Sequence, residues 1–372
     1  MPRRLVRRGI RRVWGRMERV ILGSIPRSFG AAALVAVLAL TGCSASTART
    51  TGTSDGAGVV GVTLPSADDL AWVRAGDALS SELRERGYRV DLQFAAADTR
   101  TQVSQAQNMI TKGEDAVVLV PVSLDALAAA REAAAAEDVP VVAVARDLDG
   151  AGAFVAVDPA EVGRAQAEAL LDDLGTAPAT VAVLAGATED PDAAARHAAA
   201  IEALAPAVAA GTVTLLTGAD FADAAVADEA AGVESAAEDR AREMVGEEER
   251  PTAILALGDA VTRGVVTALT TPDPDASPSP SPSPDADDAV PAPVVIGSGG
   301  DTATVRALRD GVVEATVFVD TRLVAPTVAD AVAAALTGQA SSAGPALEAA
   351  VVRRPEVQAV FLGSGWLDAG EL

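Results

Sequence analysis

From residue 58 onward the chain repeats one unit: a short run of β-branched and apolar residues, then a longer Ala-rich stretch with apolar positions every three or four residues among charges. The short runs predict buried strands, and the 3.6-residue period predicts helices that cover them. Strands are expected at 59–64, 90–94, 116–120, 140–144, 153–157, 181–184, 213–216, 253–257 and 294–296. Helices are expected at 67–86, 99–112, 124–137 and 159–174, and in the later gaps, as at 193–204. Gly87 and Gly113 stand where helices should stop, and Pro159 stands in a first turn, where a missing N–H is tolerated. Strand alternating with helix implies parallel sheets covered on both faces. About ten strands exceed what one sheet carries comfortably, so two α/β domains are expected.

Two stretches break the rhythm. Residues 271–293 read TPDPDASPSPSPSPDADDAVPAP. Repeated Pro excludes helix and central strand, and Asp and Ser favour water, so a disordered surface insertion is expected there. The other is the start. A basic stretch between Arg3 and Arg27 precedes twelve apolar or small residues, 29–40. That run is shorter than the ~20 residues of a spanning helix, and the combination reads as a secretory signal over 1–42. The Ser-, Thr- and Gly-rich residues 43–57 then read as a flexible tether.

Charge sharpens this division. The 372 residues carry 29 Lys and Arg against 52 Asp and Glu, a net charge of −23. Nine of the Arg lie within 1–42, so the remainder is more acidic still. Such a surface suits solubility and is a poor one for nucleic acid or an anionic membrane face. One His and one Cys exclude a multi-His zinc site and an internal disulfide framework.

Little in the chain suggests catalysis. His197, the single His, lies in a helical stretch without a nucleophile motif and reads as a helix residue rather than a general base. Gly297-Ser298-Gly299-Gly300-Asp301 joins a strand to a helix, but it lacks the Lys of a phosphate loop and the GxGxxG spacing. No catalytic residue, metal or cofactor is expected. Open α/β sheets bind ligands at the carboxyl ends of their strands, and two such domains make a cleft. Polar residues after strands are therefore the candidates: Asp98, Arg146, Asp158, Asp259 and Asp301, with Trp72 opening the first helix. An aromatic ring beside carboxylates and Arg suits a sugar, whose C–H face packs on the ring while its hydroxyls meet the charges. Pairs such as Asp68-Asp69 read as solvated faces.

Specific motifs then resemble a known family. Leu40-Thr41-Gly42-Cys43 resembles the bacterial lipoprotein cleavage box, which makes Cys43 a lipidated first residue. Gly61-Val62-Thr63-Leu64-Pro65 through Trp72 and Gly76-Asp77 is similar to the opening of the periplasmic sugar-binding proteins of ABC transporters, the xylose and multiple-sugar receptors above all. Gln102-Val103-Ser104-Gln105, Asn108-Met109-Ile110-Thr111-Lys112-Gly113, Asp158 with Glu161-Val162-Gly163, and Thr316-Val317-Phe318 with Asp320-Thr321 continue the match in order. The resemblance implies a type I periplasmic binding fold: two Rossmann-like α/β lobes, joined by three crossings, holding a sugar between them. It places 58–157 plus 299–321 in the N-terminal lobe and 158–298 plus 322–372, with the insertion, in the C-terminal lobe. It assigns ligand contact to Trp72, Arg146, Asp158, Asp259 and Asp301, and sets Phe221 near the family's second stacking aromatic.

The chain also departs from that pattern. Ala71 stands where an Arg is usual and Ala145 where an Asp is; Pro159 and Gly258 replace Asn, Gly300 replaces Gln, and Val319 replaces Lys. The expectation is a lipid-anchored, extracytoplasmic, monomeric receptor that passes a sugar or sugar-like solute to an ABC permease. The alternative is a degenerate receptor acting in signalling or cell-envelope interaction. A transcription regulator of this fold would need a basic helix-turn-helix at the N-terminus, where this chain has an export signal.

Overall fold

The computed structural model describes residues 57–146, 148, 157–247, 249–272, 291–339 and 347–372. The expected signal (1–42), the tether (43–57, apart from Ala57), Cys43, most of the strand expected at 153–157 and most of the insertion at 271–293 lie outside the described residues.

The first lobe begins with β1 (Gly58–Leu64), α1 (Leu70–Glu85), β2 (Tyr88–Phe94) and α2 (Thr99–Lys112). It continues through β3 (Ala116–Leu119), α3 (Leu124–Ala136) and β4 (Val141–Ala143). Its four strands are parallel in the order β2-β1-β3-β4. Alternation along β3 shows why both faces are covered. Ala116 and Val118 face Leu79 and Leu83 of α1, while Val117 and Leu119 face Met109 of α2 and Leu127 of α3. The Gly113 C-cap is left-handed, φ 77°, which a residue without Cβ adopts freely.

The second lobe carries α4 (Pro159–Leu174), β5 (Ala179–Ala187), α5 (Pro191–Ala209), β6 (Val213–Thr217), α6 (Phe221–Ala224) and β7 (Ala225–Ala227). Then come α7 (Val233–Gly246), β8 (Ala253–Leu257), α8 (Asp259–Thr270), β9 (Val294–Ser298), α9 (Thr302–Asp310) and β10 (Ala315–Phe318). After β10 come α10 (Val324–Leu336) and β11 (Ala350–Arg353). The sheet order is β11-β10-β9-β8-β5-β6, with β7 also pairing β5. Its β11 edge runs antiparallel, an exception to the all-parallel expectation.

The lobe boundaries expected from sequence need correction. Residues 299–321 belong largely to the second lobe, because β10 pairs with β9, and Val305 and Leu308 of α9 pack with Ile254 and Val295. The helix that returns to the first lobe is α10, whose Val328 and Val332 bury against the α1 face. The chain therefore passes between the lobes three times: between β4 and α4, between β10 and α10, and between α10 and β11. Two of these passages meet where Val157 forms a parallel bridge with Leu347.

Glutamines of the Gln102–Gln105 motif fix the strand ends of the first lobe. Buried Gln102 donates Nε2 to the Val120 carbonyl at 2.7 Å and accepts Val122 N–H at 2.8 Å. Gln105 accepts the Thr63 hydroxyl at 2.7 Å and donates to the Phe94 carbonyl at 2.9 Å. An amide supplies both donor and acceptor, so Gln102 satisfies the loop after β3 and Gln105 ties β1 to the end of β2.

One buried acid sits in this lobe away from the cleft. Glu114 lies under β1 where a Cβ at Gly61 would overlap its carboxylate, and its Oε2 is buried without a hydrogen-bond partner among the described residues. Burial, and then the neighbouring Asp91 carboxylate, push it from 4.5 up to about 7. A raised folded-state value means that this acid favours the fold fully below about 4.5, and that the contribution is lost as pH rises through about 7. Glu114→Gln, which resembles the protonated acid, should therefore raise stability at pH 8 relative to wild type. The gain should vanish near pH 5. Urea unfolding at both pH values checks this, and a pH-independent difference would contradict it.

Candidate ligand-binding cleft

Parallel strands place the heads of their following helices at one edge, and the two lobes turn those edges toward each other. Between them is a cavity of about 370 Å³. The first lobe lines it with Asp69, Trp72 and Arg146; the second with Arg196, Asp259 and the aromatic residues Phe318 and Trp366. A second recess adjoins it around Asp98, Arg100 and Glu189.

Local structure explains each position. Asp69 caps α1, its Oδ1 accepting Ala71 N–H at 2.9 Å, which sets half-buried Trp72 in the first turn at the cavity wall. Ala145 adopts φ 67°, a left-handed conformation that costs a non-glycine residue about 1 kcal/mol or more. It lies between β4 and Arg146, whose guanidinium reaches across to the other lobe. There Nη2 meets Asp190 at 2.8 Å and Asp192 at 2.9 Å, and Nε donates to Asp192 at 3.0 Å. Nη1 returns to the Val122 carbonyl at 3.3 Å, on the loop that Gln102 holds.

On the second lobe, Asp259 heads α8 and accepts the Ser298 hydroxyl at 2.8 Å. Its carboxylate lies against Gly299, φ 98°, where a Cβ would come within 2.6 Å of it, so the glycine at the end of β9 makes room for the acid. Arg196 on α5 lines the same wall, and its Nε is buried without a hydrogen-bond partner among the described residues. Phe318 meets Phe361 and Trp366 edge-on, at 5.0 and 4.7 Å between centroids. Trp366 donates Nε1 to the Gly300 carbonyl at 2.7 Å, fixing this aromatic wall.

The acids of the cleft oppose one another. Burial, then the charge of Asp259, push Asp69 from 3.8 up to about 6. Burial also raises Asp259, which Asp301 raises further, while the Ser298 hydroxyl, Arg196 and Arg263 act in the other direction.

The sequence-predicted residues divide accordingly. Trp72, Arg146 and Asp259 line the cavity, although Arg146 is already engaged by two carboxylates. Asp98 caps α2 through Thr101 N–H at 2.7 Å, is exposed, and faces only the outer recess. Asp158 caps α4 through Ala160 N–H at 2.9 Å and points to solvent outside the cavity. Asp301 caps α9, accepting Ala303 N–H, Thr304 N–H and the Thr304 hydroxyl, and does not line the cavity. For Asp158 and Asp301 the cleft-contact expectation is corrected: helix N–H groups take the carboxylates. Asp98 lies on the adjoining recess, which shares Trp72, Arg146, Asp190 and Asp192 with the cavity. Phe221 is corrected too, because it packs 5.7 Å from the His197 ring outside the cavity. The aromatic residues on that lobe's wall are Phe318 and Trp366. His197 is buried, 2.8 Å from the Gly218 carbonyl.

Sequence reasoning missed Asp69, Asp190, Asp192 and Arg196. As one of two adjacent acids Asp69 reads as solvated like its exposed neighbour Asp68, yet it heads the same helix as Trp72. The Asp-Pro-Asp step at 190–192 carries the same helix-head signal as Asp158-Pro159. The six positions at which the chain departs from the family pattern, Ala71, Ala145, Pro159, Gly258, Gly300 and Val319, all line the cavity.

Two α/β lobes, three crossings and a cleft at the carboxyl strand ends define a type I periplasmic binding fold. The chain belongs to that family: residues 60–340 match the periplasmic binding protein domain. It is 24% identical over 290 residues to the multiple sugar-binding periplasmic receptor ChvE of Rhizobium radiobacter, covering 76% of this chain and 79% of that one. It is 26% identical over 287 residues to the multiple sugar-binding periplasmic protein SbpA of Azospirillum brasilense, covering 75% and 77%. Among solved structures, an ABC transporter solute-binding protein from Clostridium phytofermentans with bound β-D-glucose superposes with a TM-score of 0.73 at 25% identity, covering 84% of this chain and 99% of that one.

The Arg146 pairs join opposite lobes, so they favour the closed arrangement by charge-assisted hydrogen bonds of about 1.5–3 kcal/mol each before screening. Replacing Asp190 and Asp192 together by Asn keeps a capping side chain at 190 and removes both charges. The radius of gyration of the ligand-free protein, measured by small-angle X-ray scattering at low salt, should increase. An unchanged radius would show that this pair does not hold the lobes.

Proposed function

We propose that the chain is a lipid-anchored extracytoplasmic receptor that captures a hydroxyl-rich solute, of the sugar or polyol class, for an ABC importer. The observation that carries this reading is the 370 Å³ cavity between hinged lobes, with Trp72 on one wall and ionisable groups from both lobes around it. That volume is within the ~300–1,000 Å³ range of small-molecule sites. The Trp72 face offers a platform for sugar C–H groups, while Asp69, Asp259 and Arg196 offer hydrogen bonds to hydroxyls. Relatives named as multiple-sugar receptors, and a similar fold solved with glucose, support the ligand class. Capture is hinge motion: the lobes close over the solute, the Arg146 bridge helps hold them, and the closed pair of lobes is presented to the permease. Lipid at Cys43 would keep the receptor at the outer face of the membrane, since acyl chains contribute ~0.8 kcal/mol per buried CH₂.

A second reading is a degenerate receptor that serves in signalling or envelope contacts without efficient sugar binding. It is favoured by the cavity wall itself, where Ala71, Ala145, Pro159 and Val319 supply no side-chain donor.

Calorimetry separates them. The full chain, purified in detergent, should bind at least one member of a panel of pentoses, hexoses, polyols and amino sugars, and Trp72→Ala should weaken that binding by about tenfold or more. Flat titrations of folded protein across the panel would support the second reading, and unchanged affinity in Trp72→Ala would remove the ring from the site. For the anchor, Cys43→Ser should release the receptor from cells into the medium, as read by fractionation.

A further inference from the structure

We infer that the solute carries a positively charged amine beside its hydroxyls, as in an amino sugar or amino polyol, and that the ammonium seats against Asp69 of the first lobe and Asp259 of the second. This rests on the receptor reading above and narrows its ligand.

Charge around the interlobe cavity carries the inference. Asp69, Asp190, Asp192 and Asp259 face the cavity, against Arg146 and Arg196. Arg146 is taken by Asp190 and Asp192. Arg263, next in line behind Asp259, donates to Glu234 at 2.8 Å and lies 3.7 Å from Asp301, so it is shared among several acids. Asp69 faces Asp259 and Arg263 of α8; Asp259 also faces Asp301 at the head of α9, Arg196 of α5 and the Ser298 hydroxyl. Arg196 is the remaining cation for two acids brought together from opposite lobes.

Much of the surrounding wall is apolar, with Ala71, Ala145, Val157, Val317 and Val319, so this excess of negative charge is poorly screened. Closing the lobes on a neutral solute brings Asp69 and Asp259 together at the cost of repulsion or of taking up a proton. An ammonium supplies the missing positive charge and three donors at once. The half-buried Trp72 ring on the same wall also suits a cation. The buried Nε of Arg196, unpaired among the described residues, remains to donate to a hydroxyl or ring oxygen of the same solute.

The two ligand classes differ in the sign of their pH dependence. A neutral polyol should bind better as pH falls through about 6, where Asp69 gains its proton, and an amine should bind better above it. The test is calorimetry on the full chain in detergent with two matched pairs, D-glucosamine against D-glucose and D-glucamine against sorbitol, at pH 7.5 and 5.5. The amine of at least one pair should bind about tenfold or more tightly than its neutral partner at pH 7.5, with a smaller advantage at pH 5.5. Asp69→Asn with Asp259→Asn should abolish the advantage; Asn can still cap α1 and accept from Ser298. Should the double variant fail to fold, Asp69→Asn alone must cut the advantage by about threefold or more. A neutral partner that binds as tightly as its amine, or an advantage that survives these substitutions, overturns the inference and leaves the receptor reading standing. If no member of either pair binds, the inference is overturned; the wider sugar panel then decides the receptor reading separately.

Discussion

Helices that begin near the carboxyl ends of strands start with N–H groups that have no partner in their own turn. In this chain aspartate satisfies them: Asp69, Asp98, Asp158, Asp190 and Asp301 each accept such a bond. The need to cap sorts the acids of the cleft. A carboxylate that turns both oxygens into its own helix, as Asp301 does, is lost to the ligand. One that caps at the cavity wall retains lone pairs that face inward, as Asp69 does. Asp190 does a third thing: it caps α5 and also accepts the Arg146 guanidinium from the other lobe. Local helix chemistry is thus coupled to the large-scale motion that receptors of this fold require.

Much of the fold was legible because its punctuation is local. The expected spans of α2 and α4 coincide with those observed, since Asp98 with Gly113 and Asp158-Pro159 with Gly175 mark both ends within the segment itself. The β3 and β8 runs read correctly for the same reason: both are continuous apolar stretches buried on two faces. What failed is non-local. Whether residues 315–318 extend the first sheet or the second depends on which strand offers a free edge, and Ile296, Gly297 and Ser298 of β9 offer it. The apolar face of α10 fits any similar groove; only the three-dimensional position of Leu79 and Leu83 decides that it returns to the first lobe.

The site was legible in part, and the division follows from side-chain direction. Strand-end logic finds the helix heads but does not say which way a carboxylate turns. Asp68 is exposed and its neighbour Asp69 lines the cavity, because the extended backbone at the Asp69 N-cap turns successive side chains in different directions. Phe221 occupies a plausible place in the chain, yet its ring serves the α5–α6 packing against His197, and the aromatic wall comes instead from Phe318 and Trp366. Trp366 lies far along the chain from every strand end used in the reading, and it reaches the cleft because its indole donates to Gly300.

These features bear on how closure is controlled. An ion pair that joins the lobes and a pair of like charges that separates them act on the same hinge in opposite directions. Arg146 with Asp190 and Asp192 draws the lobes together, while on the proposed reading Asp69 and Asp259, when both are ionised, would resist closure until a proton or a cation neutralises one of them. A receptor needs both terms. With attraction alone it would shut empty; with repulsion alone it would stay open when filled. A ligand shifts such an equilibrium only through its different affinity for the two states, and under the proposed cationic solute that difference would lie where the opposed carboxylates meet. The apolar residues around them, such as Ala71, Val157 and Val317, leave less water beside these acids than in bulk, so a group that relieves their repulsion counts for more than it would in water.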